Sequence, residues 1–66
     1  MQTEKPEKII GKKYVRGKPY YKVKWEGQSK DKATWESPPR LKEYKTMVQQ
    51  YEVKNWGVPL DVKFFE

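Results

Sequence analysis

A strict two-residue alternation runs through Tyr20-Tyr21-Lys22-Val23-Lys24-Trp25 and stops at Glu26-Gly27. Successive side chains of an extended backbone point to opposite faces. Tyr21, Val23 and Trp25 therefore share one face, and Tyr20, Lys22 and Lys24 share the other. Such a strand needs neighbours for its backbone and an apolar layer over one side only. The flanking residues supply both. Residues 7–15 contain Ile9, Ile10, Tyr14 and Val15 and read as a first strand, with Gly11 as a bend or bulge. Arg16-Gly17-Lys18 is a short hairpin turn in which glycine takes the positive φ. Pro19 opens the second strand, where its missing N–H costs little. Residues 28–32 form a polar loop, residues 33–37 a short third strand, and Pro38-Pro39 ends it.

Leu41, Tyr44, Met47, Val48 and Tyr51 then recur at helical spacing, with Gly57 and Pro59 as stop signals. One C-terminal helix packed across a curved three-stranded antiparallel sheet buries both apolar faces, so the expected class is α+β. Residues 1–6 read as a flexible lead-in, 7–56 as the folded domain, and 57–66 as a tail without an assigned structure. The tail residues Leu60, Val62, Phe64 and Phe65 alternate like a strand that lacks an evident partner. A chain of 66 residues makes a small core. Three Trp, five Tyr and two Phe carry it, since no cysteine is available for a disulfide. Trp35, inside Thr34-Trp35-Glu36, is expected in that core beneath the helix.

The chain has 15 Lys and Arg against nine Asp and Glu, a formal charge of +6. That balance suits an anionic partner such as nucleic acid, and equally a solubilising surface. Lys12, Lys13, Arg16 and Lys18 cluster at the hairpin, with Lys22 and Lys24 on the adjacent strand, and are the nucleic-acid candidates. Enzymatic chemistry has little to work with. There is no His or Cys, no Gly-rich phosphate loop, and no carboxylate pair set by local spacing. The same absences argue against a bound metal or cofactor. No apolar run reaches the ~20 residues of a membrane span, and no signal-peptide pattern opens the chain. Its ends suggest a module cut from a larger protein.

Residues 7–10, the Gly17 hairpin, Tyr21-Lys22-Val23-Lys24-Trp25-Glu26-Gly27, Thr34-Trp35-Glu36 and Val48-Gln49-Gln50-Tyr51-Glu52 together resemble the chromodomain family, over about residues 4–54. The resemblance implies a curved three-stranded sheet, an SH3-like partial barrel, with a C-terminal helix. It also implies that a histone tail adds as a β-strand between the N-terminal segment and the loop before the helix. In the family, three aromatics cage a methylated lysine of that tail through their negative ring faces. Here Trp25 falls on one cage position, while Glu4 and Gln28 replace the other two aromatics. Lys32 stands where the family often has an acid, and Arg40 and Lys42 fall where polar or acidic residues commonly bracket the peptide. A basic tail would meet like charge there. A lone exposed Trp supplies only about 0.5–1 kcal/mol to a cation.

Such a degenerate cage is similar to that of chromodomains at the C-terminus of retroelement integrases. The resulting expectation is a non-catalytic, nuclear chromatin-targeting module that holds nucleic acid or a protein surface. The alternatives are a methyl-lysine histone-tail reader and a dimerisation module acting through the helix.

Overall fold

The computed structural model describes residues 5–66, so the Glu4 expectation lies outside the described residues. Three antiparallel strands form one sheet in the order β1-β2-β3, with β1 at Pro6–Val15, β2 at Lys18–Trp25 and β3 at Thr34–Glu36. The β1–β2 turn has positive φ at both central residues, 53° at Arg16 and 79° at Gly17. Primed turns of this kind match the twist of the strands they join. The sequence reading assigned the left-handed region to glycine alone, and Arg16 enters it as well.

Two register shifts interrupt β1. Its partners run Pro6↔Trp25, Lys8↔Lys24, Ile9↔Val23 and Gly11↔Lys22, which leaves Glu7 and Ile10 as extra residues. The second shift confirms the bend or bulge expected at Gly11. Bulges bend a strand and sharpen its twist, hence the curvature of the sheet. They also invert its alternation. Ile9 and Lys12 lie three residues apart, yet both stand on the face of Val23 and Tyr21.

That face carries the core. Tyr21, Val23, Leu41, Val48 and Phe65 are buried, with Ile9, Trp25, Tyr51 and Leu60 packed against them. Each fully buried apolar side chain contributes about 1.5–3 kcal/mol. The five-residue apolar stripe expected on one helix is divided between two segments. Pro38–Tyr44 forms 3₁₀ turns interrupted at Leu41 (φ −104°, ψ 22°), and the α-helix, α1, spans Lys45–Trp56. Proline suits the first position of a helical turn, where its N–H would go unpaired. Gly57 closes α1 in the left-handed region at φ 81°, and its N–H donates to the Val53 carbonyl at 3.0 Å.

The expected place of Trp35 is overturned, and the unassigned tail takes a definite structure. The β2–β3 register pairs Lys22 with Trp35, and Tyr21 and Val23 with Glu36 and Thr34. Trp35 therefore stands on the sheet face opposite the core, 38% exposed, and not beneath the helix. It lies over Gly11, where an added Cβ would come 3.5 Å from its Cη2. The tail is not a strand either. Val62–Phe65 forms a 3₁₀ turn capped by the Asp61 carboxylate, which accepts from the Lys63 N–H at 3.0 Å. Phe65 thereby enters the core. The Gln49 side chain on α1 fastens the approach to it, donating to the Leu60 carbonyl at 2.8 Å and accepting from the Leu60 N–H.

Candidate functional site

The curved sheet separates the basic residues of the hairpin into two groups. Lys12 is turned inward by the Ile10 bulge. Its ammonium meets Glu52 of α1 at 3.0 Å to Oε1 and 2.8 Å to Oε2, and the two side chains are only 6% and 3% exposed. The Tyr21 hydroxyl also donates to Glu52. Burial and the Glu52 carboxylate hold the Tyr21 hydroxyl far above its ordinary titration range. Burial alone would lower the Lys12 ammonium, but its hydrogen bonds with Glu52 and Tyr14 outweigh that and raise it. The Lys12 ammonium also lies 4.9 Å from the Tyr14 ring centroid, 5.8 Å from that of Tyr21 and 5.1 Å from that of Trp56. A cation so enclosed joins the sheet to the helix. It has no reach to a phosphate, and Lys12 leaves the nucleic-acid set.

The remaining candidates stay outside. The strand registers place Lys8, Lys13, Lys18, Lys22 and Lys24 on the outer face, with Tyr20 and Trp35. Arg16 and Lys18 are exposed at the turn. Lys24 pairs with Glu7, and that hydrogen bond lowers the Glu7 carboxyl below the usual carboxylate range. The Lys13 and Lys22 ammonium groups lie 4.4 Å and 5.9 Å from the Trp35 ring centroid. Sequence reasoning found the cations of this face and Tyr20, but not Trp35. Trp35 could have been found only from the register of β3 against β2, which no local pattern carries.

The residual cage is a different surface. Trp25 is half-buried against the core, and its indole N–H donates to the Thr34 hydroxyl at 2.7 Å. That hydroxyl donates in turn to Glu36 at 2.8 Å. Gln28 is half-buried in the turn that follows, its N–H bonded to the Trp25 carbonyl at 3.1 Å. Lys32 and Lys42 are exposed. Arg40 is exposed too, with only a 3.9 Å contact from its Nε to Glu36. The only close aromatic pair among the described residues is Tyr21 with Tyr51, edge to face at 6.0 Å.

A groove of about 760 Å³ runs between the free edge of β1 and α1. Its floor is Ile9, Ile10, Tyr44, Met47 and Tyr51, and its charged rim holds Glu7 and Glu43 with Lys8 and Lys54. Lys32, Arg40 and Lys42 do not line it. No three acids among the described residues gather into a metal site.

The family model described as Chromo (CHRromatin Organisation MOdifier) domain matches residues 5–54. No curated protein matches the sequence closely.

Proposed function

Since the chain belongs to the chromodomain family, and is thus a chromatin-associated binding module, we propose that it places a larger nuclear protein on chromatin without catalysis, by holding nucleic acid on the outer face of its sheet. One observation carries this reading. Lys8, Lys13, Lys18 and Lys22 share a face with Trp35, while Glu36 and Glu52 face the other way and Glu7 is paired with Lys24. Segregation of charge by a sheet creates a local positive field larger than the net charge suggests, and such a field attracts phosphate. The family's lysine site supports the same reading by its reduction to Trp25.

The test is fluorescence anisotropy with a short DNA duplex over a range of salt. Affinity should be weak and sequence-independent, and should fall with a log–log slope of about −0.9 per phosphate neutralised. Reversing Lys13, Lys18 and Lys22 to Glu should abolish it with the far-ultraviolet circular dichroism unchanged. Absence of binding at low salt would defeat the reading.

The β1–α1 groove favours a second reading, in which a peptide adds as a strand to the free edge of β1. Half-buried Ile9, Ile10 and Tyr51 offer it apolar contact, and Glu7 and Glu43 suit a basic segment.

A further inference from the structure

We propose that the outer face takes single-stranded RNA, with one base stacked on Trp35; the inference rests on the nucleic-acid reading above and narrows it. A duplex presents two phosphate ribbons and keeps its bases stacked on one another, so a face that reads it needs cations alone. This face has an indole among its cations. Trp35 keeps 38% of its surface open, and Gly11, having no side chain, lets the ring lie close to β1. Lys13 and Lys22 flank the ring at 4.4 Å and 5.9 Å on flexible stems. An exposed lysine–indole contact is weaker than a base–indole stack. A base can therefore take the place of an ammonium over the ring while that ammonium moves to the adjoining phosphate. Tyr20, half-buried across from Lys13, is the next ring along the same face. Basic sheet faces with interleaved aromatics hold single strands in this manner, without sequence preference. Chromatin keeps its DNA double-stranded, so the single strand at hand is RNA.

The test uses the 66-residue chain and four labelled probes at low salt: an eight-nucleotide uridine RNA, the same strand with abasic residues, its deoxy counterpart, and a duplex of equal length. The uridine strand should bind at least about fivefold tighter than the duplex. The abasic strand should lose about fivefold to a hundredfold. With ¹⁵N-labelled protein, the Trp35 indole N–H resonance should move on titration, while that of Trp25, tied to Thr34, should not. Trp35→Ala should reproduce the abasic loss, and Trp35→Phe should recover part of it. If Trp35→Ala fails to fold, the abasic comparison and the indole shift decide with the natural protein. Equal binding of duplex and single strand with an unmoved Trp35 resonance overturns this inference and leaves the proposed function standing. Binding of none of the four defeats both. A deoxy strand bound tenfold tighter than RNA overturns the choice of RNA.

Discussion

Lys12→Met removes one charge and little else, because methionine keeps most of the apolar stem. What remains is a carboxylate at Glu52, 2% exposed, with the Tyr21 hydroxyl as its hydrogen-bond partner. Losing one member of an exposed ion pair costs about 0–1 kcal/mol, whereas losing one member of a buried pair costs about 3–5 kcal/mol. Side-chain exposures of 6% and 3% put Lys12 and Glu52 in the second class. At roughly 0.05–0.15 kcal/mol per residue, a 66-residue chain has about 3–10 kcal/mol in all. The variant should therefore lose about half of its stability, and its melting temperature should fall by about 12–40 °C. Adding Glu52→Gln to it should restore most of the loss, since an amide leaves no buried charge and still accepts from Tyr21. Urea unfolding followed by tryptophan fluorescence and circular dichroism reads both. A cost below about 1 kcal/mol for Lys12→Met, or a double variant no more stable than the single one, would refute the burial argument.

The same cluster sets a pH limit. Tyr21 and Lys12 have ordinary values of 10.0 and 10.5, and both are raised by folding. The folded state then keeps protons that the unfolded state sheds. Stability is full below about pH 10 and declines above it. The melting temperature should hold steady up to about pH 9, and the alkaline decline should shrink in Tyr21→Phe; an unchanged decline would mean that other groups cause it. Phe65→Ala should cost about 3–5 kcal/mol in urea unfolding, and a cost near zero would show the tail detached from the core. A trimethyl-lysine histone-tail peptide should bind weakly, with less than about tenfold preference over the unmodified peptide by calorimetry, because a single solvent-accessible ring supplies only about 0.5–1 kcal/mol. Tight binding lost on Trp25→Ala would restore the reader hypothesis.

The strands, the hairpin and the existence of a C-terminal helix were legible because alternation, glycine and proline act locally. Tyr21 and Val23 reached the core by the simplest rule available. What escaped depends on register or on distance along the chain. Trp35 has the composition of a core residue, but its partner across the sheet is Lys22. Glu52 faces inward although no apolar pattern marks it, because its neutralising cation comes from 40 residues earlier. Leu41 and Val48 meet in the core from separate segments, so their helical spacing was coincident with the fold and not its cause. The tail's alternation had no partner strand to satisfy, and Gln49 drew it into a turn instead. At the candidate site the cations were visible in sequence, but the division between Lys12 inside and its neighbours outside was not.

The Ile10 bulge gives β1 one residue more than its ladder needs. Ile9 and Gly11 already pair with the adjacent Val23 and Lys22, so deleting Ile10 would keep residues 11–15 in phase, with Lys12 still turned to Glu52 and Lys13 still outward. What would go is the local bend. The damaging change is to straighten the strand with every residue kept. Ile10 would then stand opposite Lys22, and Lys12 would pass to the outer face, away from Glu52. The inner ion pair and the arrangement of the outer basic face thus hang together on a bend, and shortening β1 by that one residue should be milder than any change that flattens it.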